Sequence, residues 1–150
     1  MQEYFFEDFA AGQRTETEPV AISEAEIIEF AGKYDPQPMH TDPQAAETIT
    51  GGLIASGWHT ASLTMRLWIT GTPYRPAPGS VGLGFDKLRW LKPVRPGDTL
   101  RLQLEILGTR ASESKPDRGI VTIRFVTVNQ HGEPVLDMTS SAIVPKRNAG

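Results

Sequence analysis

The sequence has no cysteine, so neither a disulfide framework nor thiolate chemistry is open to it. It has no basic excess: Lys plus Arg is 15 against 18 Asp plus Glu, a net charge of −3. That argues against a nucleic-acid binder, which carries a basic stripe. No apolar run reaches the ~20 residues of a membrane span. The opening Met1-Gln2-Glu3 lacks a signal-peptide pattern, which predicts a cytoplasmic location. Internal repeats and interior linkers are absent. So are a Gly-rich phosphate loop, a G-x-S-x-G context around Ser62 and an HExxH-type spacing for metal.

What is present fits one soluble domain. Apolar residues make up 39% of 150, near the usual share for a globular chain. A chain of this length buries roughly two thirds of its unfolded surface. We read residues 1–150 as a single domain, with a polar tail at 146–150 expected to fray.

Ser23 and Glu26 form a capping-box pattern ahead of Ile27, Ile28, Phe30 and Ala31, which predicts a helix there. Pro36 and Pro38 forbid its continuation. Asp42 followed by Pro43 predicts a second, short helix. From Leu53 to Ile69 the chain is apolar nearly all round, with Arg66 its only fixed charge. This predicts a helix buried on most sides. Beyond the Pro/Gly-rich stretch from Gly71 to Gly79 the period becomes two. Leu100, Leu102, Leu104 and Ile106 share one face, as do Val121, Ile123 and Phe125, and Leu136, Met138, Ser140, Ala142 and Val144. A further strand is expected from Val81 to Leu91. The simplest assembly is α+β: an antiparallel β-sheet wrapped around one long central α-helix.

With three histidines in the chain, candidate proton-transfer sites are few. Asp35 and His40 lie in Tyr34-Asp35-Pro36-Gln37-Pro38-Met39-His40, just past a helix end. Two prolines stiffen the segment, and stiff placement of an acid and a base suits proton transfer. Spacing alone favours a plainer reading, in which Asp35 caps backbone amides in a turn and His40 packs quietly. Gly57 heads the apolar helix, where unpaired N–H groups and the dipole favour developing negative charge. Equally, Gly57 serves tight helix–sheet packing. His59 reads as a packing histidine and His131 as a turn residue. A metal held by Asp35, His40, Asp42 and His59 has no recognised ligand spacing behind it. Lys87, Arg89, Lys92 and Arg95 form a basic stretch that suits phosphate contacts or a charged strand surface.

At these residues the sequence resembles the MaoC-like dehydratases, which include the (R)-specific enoyl-CoA hydratases. Their motif of Asp, two residues, Pro, an apolar residue and His is met from Asp35 to His40. Ser56-Gly57-Trp58-His59 matches the family's glycine at the head of the central helix. Trp90-Leu91-Lys92-Pro93-Val94-Arg95-Pro96-Gly97-Asp98-Thr99-Leu100 matches its strand-and-turn signature, and Tyr4 to Phe9 matches its opening. The segments cover most of the chain in the family's order. The resemblance implies a hot-dog fold and a homodimer or higher homo-oligomer. It implies reversible addition of water to a trans-2-enoyl-CoA, giving an (R)-3-hydroxyacyl-CoA. Asp35 and His40 would hold the water, and the Gly57 N–H would take the thioester carbonyl. Gln37, Ser62 and Tyr34 would stand beside the substrate, and Lys87, Arg89 and Lys92 near the CoA phosphates. CoA is the only cofactor implied, as part of the substrate, with no metal, nucleic acid or membrane partner.

The family commonly has Gly, Asn and His where this chain has Tyr34, Gln37 and Ser56. These departures leave the acid–base pair intact and bear on the substrate. Two alternatives follow. A hot-dog thioesterase generally carries an acidic residue on the central helix, and none lies between Leu53 and Ile69. A non-catalytic acyl-CoA-binding subunit is motivated by the changed Tyr34 and Gln37.

Overall fold

The computed structural model describes residues 2–148. Its antiparallel sheet has the order β2-β6-β7-β8-β5, with β3 pairing beside β2 on β6. The strands are β1 (Gln2–Tyr4), β2 (Arg14–Glu16), β3 (Val20–Ala21), β4 (Tyr74–Pro76), β5 (Val81–Trp90), β6 (Thr99–Ala111), β7 (Arg118–Val128) and β8 (Pro134–Pro145). The helices are α1 (Glu24–Tyr34), α2 (Pro38–Thr41), α3 (Pro43–Thr50) and α4 (Gly57–Gly71). Short β1 and β4 pair in parallel apart from the main sheet, a pairing the sequence pattern does not announce.

The period-two pattern sets the core. Leu100, Leu102, Leu104 and Ile106 of β6 are buried, as are Val121, Ile123 and Phe125 of β7 and Met138 of β8. Their intervening residues face the other side of the sheet. Leu67 and Trp68 of α4 close onto this surface, Trp68 meeting Phe125 edge-on at 5.2 Å. The sheet thus curls around α4, the hot-dog arrangement. Among the described residues, no helix is long and apolar enough to cross a membrane.

Three expectations are corrected. The central helix starts at Gly57 rather than Leu53, because the lead-in makes other bonds. Ile54 N–H donates to Met39 O at 3.1 Å, and Ala55 N–H donates to Val94 O at 2.8 Å. Nor is α4 buried on most sides: Thr60, Thr64, Leu67 and Trp68 are buried, whereas Trp58 and Met65 are exposed. The sheet covers one face of α4 in a single chain. The tail, expected to fray from Lys146, is tied down through Arg147. Lys146 N–H donates to Asp117 O at 2.9 Å, Arg147 N–H donates to the Glu7 carboxylate, and Arg147 pairs with Asp8. Ala149 and Gly150 lie outside the described residues.

Candidate active site

The Asp35–His40 segment is built by local rules and then pinned from outside. α1 opens with the expected capping box, Ser23 Oγ accepting from Glu26 N–H and Glu26 accepting from Ser23 N–H. It ends at Asp35, whose N–H donates to Ala31 O at 2.8 Å. Gln37 N–H then donates to Asp35 O at 2.7 Å, a tight turn around Pro36. Pro38 opens the single turn of α2, where the sequence reading has only a stiff connection. That turn buries His40 to 4% exposure.

The His40 ring has a defined direction. Nδ1 lies 2.8 Å from Ile54 O, and a carbonyl only accepts, so Nδ1 carries the proton. In the neutral ring Nε2 is therefore a bare acceptor. It faces Asp35 Oδ2 at 3.4 Å. Two acceptors this close suit one shared proton donor, such as a water molecule.

Asp35 is held at both oxygens. Gln37 Nε2 donates to Oδ1 at 2.6 Å, and Ser56 Oγ donates to Oδ2 at 2.7 Å. These bonds, Gln37 first and Ser56 second, hold the Asp35 carboxyl below the usual carboxylate range, against a smaller opposing effect of burial. A carboxyl depressed in the folded state stabilises the fold fully above its unfolded pKa. That stability is lost as pH falls through the folded value. We therefore expect Asp35→Asn to lower Tm at pH 6. The gap between the two proteins should close only below pH about 4. Melting curves on an acid series would show it.

The pair opens into a cavity of about 360 Å³ whose lining includes Gly57, Trp58, Trp90 and Lys92. Among the described residues, Gly57 N–H has no hydrogen-bond partner. It is the donor left free at the start of α4, since Ser56 Oγ takes Trp58 N–H. Why glycine stands here is plain from the packing. An added Cβ would overlap the Trp90 ring, with Nε1 only 2.7 Å away. Trp90 Nε1 also donates to Gly57 O at 2.8 Å, and the ring meets Trp58 edge-on at 5.2 Å. Packing accounts for the missing side chain, and the free N–H is a separate feature of the helix start.

The other expected residues divide. Gln37 touches Asp35. Lys92 lines the cavity while paired with Glu133. Lys87 and Arg89 instead line a separate polar groove with Arg124 and Asp137. They alternate with Leu88 and Trp90, so they emerge on the other face of β5. Tyr34 is exposed and packs on Phe30 at 5.1 Å. Ser62 spends its hydroxyl on Trp58 O at 2.8 Å, back along its own helix. His59 stacks on Phe30 at 4.6 Å, and burial pulls its pKa down against the raising effect of Glu26. His131 sits exposed in the turn before β8. The residue missed from the sequence is Ser56. A larger, mainly apolar cavity of about 480 Å³ lies further along α4, beside Met65 and Trp68. Among the described residues its only ionisable lining residue is Arg75, so it holds no acid–base pair.

Comparison with known proteins bears on the family. Residues 8–129 match the MaoC like domain. An uncharacterized protein of Bacillus subtilis is 30% identical over 141 residues, 93% of this chain and 98% of that protein. A mesaconyl-CoA hydratase of Cereibacter sphaeroides is 42% identical over 66 residues, 44% of this chain but 19% of that protein. A solved MaoC-like dehydratase from Rhodospirillum rubrum is 44% identical, with TM-score 0.89, covering 96% of this chain and 98% of that one. An R-hydratase from Pseudomonas aeruginosa is 28% identical with TM-score 0.78, covering 97% and 88%. With the domain matched across most of its length and the whole fold shared, this chain belongs to the MaoC-like dehydratase family.

Proposed function

We propose that this chain hydrates trans-2-enoyl-CoA thioesters reversibly to (R)-3-hydroxyacyl-CoA. The observation that carries the reading is the His40 ring, fixed through Nδ1 so that bare Nε2 faces Asp35 Oδ2 across 3.4 Å. A water shared by these acceptors adds its oxygen to C3. One of its protons passes through the pair to C2, so the product differs from substrate by one water. Negative charge develops on the thioester oxygen as C3 is attacked. The free Gly57 N–H at the start of α4 would stabilise it. Lys92, the basic residue lining the cavity, would meet a CoA phosphate by exchanging its partner Glu133 for it. CoA enters with the substrate, and the reaction needs no further cofactor. Support for the thioester and the stereochemistry comes from similarity to the mesaconyl-CoA hydratase and the R-hydratase.

Mixing the protein with a panel of trans-2-enoyl-CoA substrates tests this. Loss of the enoyl-thioester absorbance, with an (R)-configured product, supports the reading. Release of free thiol without hydration overturns it in favour of a thioesterase. Tight binding without turnover overturns it in favour of a binding subunit.

A homodimer is part of the same proposal. Among the described residues β5 pairs with β8 alone and its second edge has no partner, with Val81, Leu83 and Phe85 exposed. Two copies of β5 paired antiparallel along this edge would satisfy its open backbone groups and cover those apolar side chains. We expect sedimentation of a dimer, and of a monomer for Phe85→Lys. A monomeric native protein at micromolar concentration overturns this.

A further inference from the structure

We propose that Ser56 is a positioning residue for the acid–base pair: its hydroxyl holds Asp35 Oδ2 beside His40 and ties that oxygen to the first turn of α4. The inference rests on the hydration reading.

The direction of the Ser56 proton follows from its neighbours. Oγ accepts from Trp58 N–H at 3.3 Å. The carboxylate oxygen 2.7 Å away only accepts, so the single hydroxyl proton goes there. Ser56 is fully buried, so bulk water does not compete for either bond. Oδ2 is also the oxygen 3.4 Å from His40 Nε2. Gln37 holds Oδ1 on the other side. A carboxylate donated to at one oxygen still swings about its own axis. Donors on both oxygens fix its plane, and with it the lone pair left for water. Gln37 is exposed and Ser56 is not, so the buried bond sets the geometry.

The same oxygen caps α4. Ser56 is its N-cap, and its carbonyl accepts from His59 and Thr60 N–H. Gly57 is the next residue. One hydroxyl therefore spans the two halves of the site, the proton-transfer pair and the donor for the thioester oxygen. Their separation matters, because a displacement of about 1 Å in a reacting arrangement costs about a hundredfold in rate.

A capping role alone predicts lower Tm for S56A and nothing more. The positioning role predicts a kcat loss of about tenfold to a hundredfold. It predicts KM within about threefold, because the interaction acts in the transition state. It also predicts an acid limb of kcat/KM that moves to higher pH, since Asp35 loses a donor to its charged form. S56T keeps the hydroxyl and should restore rate and limb. S56G, whose glycine is tolerated at an N-cap, separates loss of the hydroxyl from loss of the helix start. An unmoved rate and limb in S56A and S56G overturn the proposal. So does failure of S56T to rescue either.

A substrate-free readout separates this idea from the hydration reading. Carbon-13 titration of the Asp35 carboxyl should move upward in S56A and S56G relative to wild type. If no enoyl thioester is turned over, that movement still supports the Ser56–Asp35 link. An unchanged titration overturns it, whatever the activity.

Discussion

Replacing His40 with Ala is expected to lower kcat for enoyl-thioester hydration by about 10²–10⁴-fold, the range general acid–base groups supply. The loss has a specific origin. Nε2 is the one imidazole nitrogen turned toward Asp35, because Nδ1 is committed to Ile54 O at 2.8 Å. Without the ring, water keeps one acceptor and loses its route for the proton. Asp35→Asn should cost a similar factor for a complementary reason. Asn presents one acceptor oxygen where Gln37 and Ser56 both donate, so one of those bonds is lost. Because the two side chains act on one water, the double variant should fall little below either single one. Additive losses would assign them to separate steps. Either single variant retaining more than about a tenth of wild-type kcat would remove that residue from the mechanism. His40→Ala also leaves Ile54 O without its imidazole donor, a cost of about 1–3 kcal/mol. Melting curves are therefore needed beside the kinetics.

Much of this site is legible in the amino-acid sequence, and the parts that are not share a cause. The Ser23–Glu26 capping box, the Asp42-Pro43 helix start and the alternation in β6, β7 and β8 are local signals, and each stands where the pattern puts it. Asp35 and His40 are close in sequence and stiffened by Pro36 and Pro38, so their meeting follows from the segment itself. Gln37 lies two residues from Asp35, and its bond to Oδ1 is equally local. The Ser56–Asp35 bond spans 21 residues and the Trp90–Gly57 bond 33, and neither has a periodic signature. The start of α4 escapes the local pattern for the same reason. Residues 53–56 have helix-compatible side chains, but their backbone is claimed by Met39 and Val94. Lys87 and Arg89 are a different case. Period-two alternation already separates them from Leu88, Trp90 and Lys92.

Gly57→Ala should lower kcat/KM by about a hundredfold, through Trp90 rather than through the substrate. The Cβ cannot be placed beside the indole at its present position, so the ring must move. Overpacking of this kind costs about 1–3 kcal/mol in stability. Moving the ring breaks the 2.8 Å bond from Trp90 Nε1 to Gly57 O and shifts a wall that the ring shares with Trp58. The free Gly57 N–H turns with it. Trp90 is partly exposed, so Trp90→Ala should fold and lose less activity than Gly57→Ala. A double-variant cycle is then decisive. If Trp90 is what requires glycine, Gly57→Ala made in the Trp90→Ala protein should cost under about threefold. If the full hundredfold loss persists there, the space over Gly57 is needed by the substrate itself. The close approach of a ligand, and not the indole, would then explain the residue.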